Sequence, residues 1–555
     1  MKREIEQAIA AVVKDLFNAA VDIELTRPDE QFGDYATNVA LQLAGKLNKN
    51  PYEIAEVLRE KLTSDEKFES VEVAGPGFLN LKLRDASLLE ALKIKPQETL
   101  AGQTIVAEYS DPNPFKPLHA GHLYTTLVGD SIARLIEHAG AKTIRINYGG
   151  DVGLHVGKSM WAIIKYLGGE NPEKLIEVSE SERPDWMGAR YVEGNSAYED
   201  DEAAKAEVIE VNKRVYKLQA DNDHDSPLAQ IYWTCRQWSY GFFAALYERL
   251  QVVPFDRYIP ESEVTPLDIK TVNEQLSKGV FKKSDGAVVF AGEEFDLHTR
   301  VFINSEGLPT YEAKDIGLGL TKWQDYHFDE SVIITANEQA QYMQVVIAAI
   351  KQFEPEPAQR TKHLTHGVVK LAGGVKMSSR KGNVVNALDI LDAAGKAARK
   401  LSDKPSAEMI LAAVKYAFLK NRIGGDIIYN PEESVSLEGN SGPYLQYAHA
   451  RARSILQKAE GDEQKITTAL EPDERSLARK IAEYSEVIDK AVAELMPHHI
   501  CTYLYELAQT FNRFYEHNHV IGNDRQSIRL KLVAKYANIL KAGLELLGIT
   551  APEHM

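Results

Sequence analysis

The chain has 555 residues, 44% of them hydrophobic and 26% charged, so it can bury several cores and its length predicts roughly three or four domains. A formal net charge of −17 argues against wholesale coating of nucleic acid or anionic membrane, although a local basic face can still serve one defined polyanion. Cys235 and Cys501 are too few for a disulfide framework or a cysteine-based zinc site, no signal-peptide core opens the chain, and no apolar run approaches the ~18 residues of a membrane span; a reducing cytoplasm is the expected home.

In chain order, Ile5, Ile9, Val12, Val13, Leu16 and Phe17 recur at helical spacing. A second helix is predicted after Asn50-Pro51, which suit an N-cap and a first helical position. "VEVAGPGFLNLKL" alternates Leu79, Leu81 and Leu83 with polar residues and predicts a hairpin turning at AGPG. Residues 1 to about 95 therefore form a small α+β domain. "TIVAEYS" opens a new core as a strand, and the helix carrying Val128, Ile132, Leu135, Ile136 and Ala139 leads to the strand "KTIRINY". Strand, loop, helix, strand is a parallel crossover unit, and a second set occurs at "SVIITANEQ", Gln341 to Phe353 and "HLTHGVVKL". Two halves of one doubly wound sheet follow, with residues 151 to 330 as helical insertions plus a β-rich piece around "GAVVF" and "TRVFINSEGLPTYEA". From about residue 401 the pattern predicts a bundle of about five helices, "RSLARKIAEYSEVIDKAV" being one of them.

His119-Ala120-Gly121-His122 falls between a strand and a helix, where free N–H groups and the helix dipole favour anions. Two imidazoles can reach the oxygens of a transferring phosphoryl group, and Gly121 admits a phosphate closely. Alone, the four residues read more simply as a turn with capping histidines. In the other half of the sheet, "KMSSRKGN" at 376–383 carries Lys376, Arg380 and Lys381 as cations and Ser378 and Ser379 as donors, with Met377 among them. A solvated basic loop is the plain alternative. Together the two stretches describe a divided site for ATP and an in-line attack on its α-phosphate.

The two stretches resemble the signatures of class I aminoacyl-tRNA synthetases. "EYSDPNPFKPLHAGHLYTTLVGD", "IRINYGGDVG", "GLPTYEAKDIG", "NEQ", "GNSGPYLQYAHARARSIL", "LGITAPEHM" and, in the first domain, "FGDYATNVA" and "GPGFLNLKL" resemble the arginyl-tRNA synthetase family in its order. That resemblance implies an α/β multidomain enzyme: an N-terminal α+β tRNA-binding domain over 1–95, a Rossmann-type parallel-sheet catalytic domain over 96–400 with insertions at about 151–330, and an all-α anticodon-binding bundle over 401–555. The implied substrates are L-arginine, ATP with Mg²⁺ and tRNA(Arg), handled by a cytoplasmic monomer without zinc or membrane. Activation is expected to require bound tRNA. The resemblance assigns ATP to His119, Gly121, His122, Lys376, Met377, Ser378, Ser379 and Arg380, and arginine to Glu108, Asn113, His119, Tyr311, Asp315 and Gln339. A planar guanidinium with five donors suits Glu108, Asp315 and the Tyr311 hydroxyl. Core packing, a helix cap and a surface acid are the plain readings of Tyr311, Asp315 and Glu108 taken singly. Ser379 stands where the family's usual signature has lysine, and Lys116 and Lys381 are expected to share the missing phosphate contacts. Tyr444, Gln446, Tyr447, Arg451, Arg453 and Arg513 look exposed and suited to splayed tRNA bases and backbone, with packing of the bundle core the alternative for the two tyrosines. Because a site that pairs every guanidinium donor rejects lysine or citrulline by ~10⁴- to 10⁵-fold, no editing site is expected.

Overall fold

A computed structural model describes residues 1–372, 385–459 and 469–555. In the first domain Ile5, Ile9 and Val13 bury one face of the helix Lys2–Phe17. The predicted cap is formed: the Asn50 side chain accepts from the Tyr52 N–H at 2.9 Å at the head of Pro51–Leu62. Phe68–Ala74 and Phe78–Leu83 make the hairpin, with Leu79, Leu81 and Leu83 buried, and Tyr35–Thr37 adds a third, antiparallel strand on the Phe78–Leu83 side.

The central sheet has five strands, all parallel, in the spatial order Thr361–His366, Glu330–Ala336, Thr104–Glu108, Lys142–Gly149, Arg257–Pro260. Numbered along the chain this is 5-4-1-2-3, the doubly wound arrangement, whose ligand crevice lies at the carboxyl ends of the two strands where the order reverses. Here those strands are Thr104–Glu108 and Glu330–Ala336. The insertion supplies the third strand, Arg257–Pro260, at one edge of the sheet, the helices between Leu154 and Arg249, and a three-stranded antiparallel sheet that includes Ala287–Phe290 and Arg300–Ile303.

Two expected elements are divided. "HLTHGVVKL" is not one strand: Thr361–His366 ends in the main sheet, and Val369–Leu371 pairs with Ile427–Tyr429. Gly367 makes the crossing possible, since a Cβ there would lie 2.3 Å from the Gly425 carbonyl oxygen. "RSLARKIAEYSEVIDKAV" breaks at Glu483 into Pro472–Ala482 and Tyr484–Glu494. The Tyr503 hydroxyl donates to Lys480 O at 3.0 Å, a carbonyl that an unbroken helix would offer to the Tyr484 N–H.

The first and last domains are tied by ion pairs. Arg475 donates to Asp34 and Asp85, each at 2.6 Å, and to the Leu83 carbonyl at 3.0 Å. Arg27 and the Tyr35 hydroxyl both reach the Glu486 carboxylate. The "FGDYATNVA" stretch thus works partly as an internal clasp.

Candidate functional site

The turn from Tyr109 to Leu118 crosses the switch point of the sheet. Ser110, Asp111 and Phe115 hold positive φ values of 78°, 47° and 66°, a cluster of conformations that non-glycine residues avoid. The surroundings over-determine it. Asp111 Oδ1 accepts from the Tyr148 N–H at 2.8 Å, and Asn113 Oδ1 accepts from the Gly150 N–H at 2.8 Å. The Phe115 peptide groups bond the Ser239 and Ser159 hydroxyls, and its buried ring stacks on Tyr232 at 5.4 Å.

This turn delivers His119 to the N-cap of the helix Ala120–His138. His119 Nδ1 accepts from the Gly121 N–H at 3.1 Å, and His122 Nδ1 accepts from the His119 N–H at 3.3 Å. The expected capping by histidine is therefore formed. An Nδ1 that accepts leaves the hydrogen on Nε2, so each ring presents an Nε2–H donor beyond the cap. The rings lie 3.9 Å apart between centroids. Burial, followed by the Lys116 ammonium, lowers His119 to about 4, and burial together with His119 and Lys116 lowers His122 well below the usual imidazole range. Both are neutral donors at pH 7. Behind them the buried His366 bonds Thr125 Oγ1 at 2.6 Å, and Thr125 donates to Gly121 O at 3.0 Å.

Lys116 lies 5.7 Å from the centroid of the Tyr191 ring, its pKa lowered by burial and then by Lys158. Lys376, Met377, Ser378, Ser379, Arg380 and Lys381 lie outside the described residues. The segment after them is tied to the first signature: Ala120 N donates to Val385 O at 2.7 Å and Ala387 N to Leu118 O at 3.1 Å, bridging Asn386 to His119.

On the far side of the switch point, the helix Tyr311–Tyr326 carries Tyr311, Asp315 and Lys322, spaced along one face. Glu108 and Asp315 line one cavity of about 20 Å³ whose other walls include Leu318, Ile333, Met343 and Val346. The buried Glu108 is paired with the buried Lys322, which also donates to Ser331 Oγ at 3.2 Å. Asp315 forms no hydrogen bond and no ion pair among the described residues. Burial, then Glu108 and Glu261, raise its pKa well above the ordinary carboxyl value. Asp111 is raised too, by burial and then Glu108.

A second acid adjoins Asn113. A Cβ on Gly150 would meet Asn113 Oδ1 at 2.6 Å and Glu261 Oε1 at 2.9 Å, so Gly150 keeps the two side chains close. Glu261 is salt-bridged to the buried Lys314 at 2.5 Å. Tyr311 is 52% exposed and its hydroxyl is 3.4 Å from His155 Nδ1. Gln339 is exposed in the short turn Asn337–Gln339 that ends the fourth strand. Sequence reasoning did not single out Glu261, Lys314, Lys322, Asp111 or His155. Glu261 directly follows the carboxyl end of a parallel strand, Arg257–Pro260, and that position was a usable signal.

In the helical domain Tyr447 is 39% exposed. Arg451 stacks over its ring at 4.8 Å and donates to its hydroxyl at 3.0 Å. Tyr447, Arg451, Lys458, Tyr515, His519 and Met555 line a cavity of about 660 Å³. Tyr444 is half-buried, its hydroxyl accepting from Asn512. Gln446 corrects the expectation of exposure: it is buried, with its amide donating to Thr550 O at 2.8 Å, because that helix face packs on the chain's last residues. Arg453 is paired with Glu553 at 2.6 Å. No helix among the described residues is long and apolar enough to cross a membrane.

Three family models cover nearly the whole chain. Residues 1–83 match the arginyl tRNA synthetase N-terminal domain, 85–431 the catalytic domain of class I (R) tRNA synthetases, and 445–555 the DALR anticodon-binding domain. The chain is 31% identical to the arginine–tRNA ligase of Lactobacillus delbrueckii subsp. bulgaricus over 584 aligned residues, covering 100% of both. It is 31% identical to that of Pasteurella multocida, covering 95% of this chain and 96% of the relative. Thermus thermophilus arginyl-tRNA synthetase superposes over 100% of both chains with a TM-score of 0.81 and 26% identity. With its doubly wound sheet, capped histidine pair and helical third domain, the chain belongs to the arginyl-tRNA synthetase family of class I tRNA synthetases.

Proposed function

We propose that this chain charges tRNA(Arg) with L-arginine, and that the observation carrying the assignment is Asp315, a carboxylate without a side-chain partner among the described residues, facing a cavity that it shares with Glu108. An anion left without a partner in a largely apolar setting calls for a cation from outside, and a guanidinium meets that need with a planar set of donors. Glu108 and Asp315 take the guanidinium with the Tyr311 hydroxyl beside them, while Asn113 and Gln339 hold the α-amino and carboxylate ends. In the first step a carboxylate oxygen of arginine bonds to the α-phosphorus of ATP and the bond to pyrophosphate breaks. The neutral His119 and His122 donate to the phosphate oxygens, and Lys116 adds positive charge. Gly121 lets the nucleotide approach, and Lys376 to Lys381 complete the phosphate site. Mg²⁺ arrives on the phosphates of ATP, whose charge it screens. In the second step the terminal ribose hydroxyl of tRNA attacks the activated carbonyl and AMP leaves. This chemistry is chiefly positioning, because the mixed anhydride is already reactive.

Tyr447 and Arg451 bind tRNA at the cavity of the helical domain, with Tyr444 shaping that face. Tyr447's exposed ring and the adjoining cation support this. We read the enzyme as a cytoplasmic monomer. Pyrophosphate exchange with each amino acid, with and without tRNA, tests the whole reading. Arginine-specific, tRNA-dependent exchange is expected; exchange with another amino acid, or none, would contradict it.

A further inference from the structure

We propose that Lys322 is a positioning residue for the substrate cation: its buried ammonium orients the Glu108 carboxylate toward the guanidinium site. The inference rests on the reading of Glu108 and Asp315 as the guanidinium's partners and adds to it a residue that never touches substrate.

The geometry comes from two neighbouring strands and one helix. In the parallel register Ser331 lies opposite Val106 and Ile333 opposite Glu108, so Glu108 and Ser331 project from the same face of the sheet. The helix Tyr311–Tyr326 covers that face, and Asp315 and Lys322, two turns apart, both reach the cavity. Lys322 is 1% exposed, Glu108 3% and Ser331 0%. Lys322 bonds Oε2 of Glu108 and the Ser331 hydroxyl, so the ammonium is anchored at two points. A buried ion pair of this kind is a weak stabiliser, because desolvation offsets most of the Coulomb attraction. What it does supply is a carboxylate of fixed orientation with a cation beside it.

The groups facing Glu108 make that charge precarious without the lysine. Asp315 and Asp111 crowd it with two further carboxyls, whose pKa values burial and Glu108 raise, Tyr148 brings a buried phenol from the adjoining strand, and Lys322 is the cation. Apart from Thr361 the remaining cavity wall, which includes Met343, Val346, Ile347 and Ile350, is apolar. Removing Lys322 leaves three carboxylates in one poorly solvated space, and one of them then retains a proton at higher pH. A pocket carboxyl that keeps its proton offers the guanidinium a neutral partner.

The test is arginine KM against pH, from pH 6 to 9, in steady-state aminoacylation with full-length Lys322→Met, Lys322→Arg, Glu108→Gln and the Glu108→Gln/Lys322→Met double variant. ATP KM is the control. Lys322→Met is expected to move the acid-side rise in arginine KM upward by at least about one pH unit, which is about tenfold in KM on that limb, with ATP KM little changed. Lys322→Arg should restore the parent profile, and the double variant should follow Glu108→Gln. Should Lys322→Met fail to fold, Lys322→Gln, which keeps a donor but no charge, is read in the same way. An arginine profile that superimposes on the parent, or equal changes in arginine and ATP KM, overturns the inference. If Glu108→Gln raises arginine KM while the lysine variants superimpose on the parent, the pocket reading stands and this inference alone falls. If Glu108→Gln leaves arginine KM unchanged, Glu108 is outside the pocket and both fall.

Discussion

Replacing Asp315 by asparagine is expected to weaken arginine and strengthen the fold at the same time. Asp315 forms no hydrogen bond or ion pair among the described residues, and burial with Glu108 and Glu261 nearby raises its pKa. Truncating one member of a desolvated, hydrogen-bonded charge pair costs about 2–5 kcal/mol, so arginine affinity should fall roughly 30- to several-thousand-fold. The folded free enzyme, by contrast, carries an uncompensated charge. A carboxyl whose folded pKa lies above its unfolded value binds its proton more tightly when folded. It therefore destabilises the protein as pH rises from the ordinary value of 3.8 through the folded pKa, by about 1.4 kcal/mol for each unit of the shift. Asparagine removes that penalty. The variant should unfold at higher temperature than the parent at pH 7, and the gap should close below about pH 4. Calorimetric titration with arginine adds a third reading: the parent should release a proton on binding at pH near the raised pKa, seen as a dependence of the heat on buffer ionisation enthalpy, and the variant should release less. Unchanged arginine affinity, or a variant less stable than the parent at pH 7, would refute the account of Asp315 as a carboxylate awaiting a cation.

Lys116→Ala and Lys381→Ala should each lower pyrophosphate exchange by about 10- to 100-fold, less than the ~10²- to 10³-fold loss of a sole donor because the two share the contacts. Full retention by Lys116→Ala beside abolition by Lys381→Ala would end the shared role. With His119 lowered to about 4 and His122 lower than usual in the free protein, the log kcat/KM profile for activation should show no limb from either imidazole between about pH 5.5 and 8, and an acid limb near 6.5 that disappears in His119→Asn would contradict the neutral pair. Arg475→Met leaves Asp34 with Arg479 as its remaining cation and Asp85 without its partner. Losing these charged hydrogen bonds while Arg479 stays on Asp34 and Leu470 N–H on Asp85 should cost about 1–3 kcal/mol, which should appear as faster hydrogen exchange in Phe78–Leu83 and its neighbours, with the catalytic sheet unchanged.

The parts of this protein readable from sequence are those governed by local chemistry. Helical periodicity around Val128 and Ile132, alternation at Leu79, Leu81 and Leu83, and the cap at Asn50 depend on residues a few positions apart, and each element formed where it was expected. The two signatures were legible because their residue types are unusual together, and the flank of the second does pair with the first at Asn386 and His119. Where the expectation failed, a distant partner intervened. The hydroxyl of Tyr503 takes the carbonyl that would have carried one helix through Glu483, and the Gly425 backbone claims the space beside Gly367 that divides one strand into two. Gln446 looked exposed because nothing in its own helix announces that the last residues of the chain fold over it.

The acid pocket divides in the same way. Glu108 and Asp315 could be named from the sequence, yet which of them is already paired could not. That depended on Lys322 lying two helical turns beyond Asp315 and on the parallel register that sets Ser331 beside Glu108. The sequence by itself determined the inventory of charges and the order of elements, because both are properties of neighbouring residues. Only the tertiary structure decided which charges cancel and which remain for a ligand, because that turns on distances and solvent access between segments some 200 residues apart, such as Glu108 and Lys322 at a separation of 214.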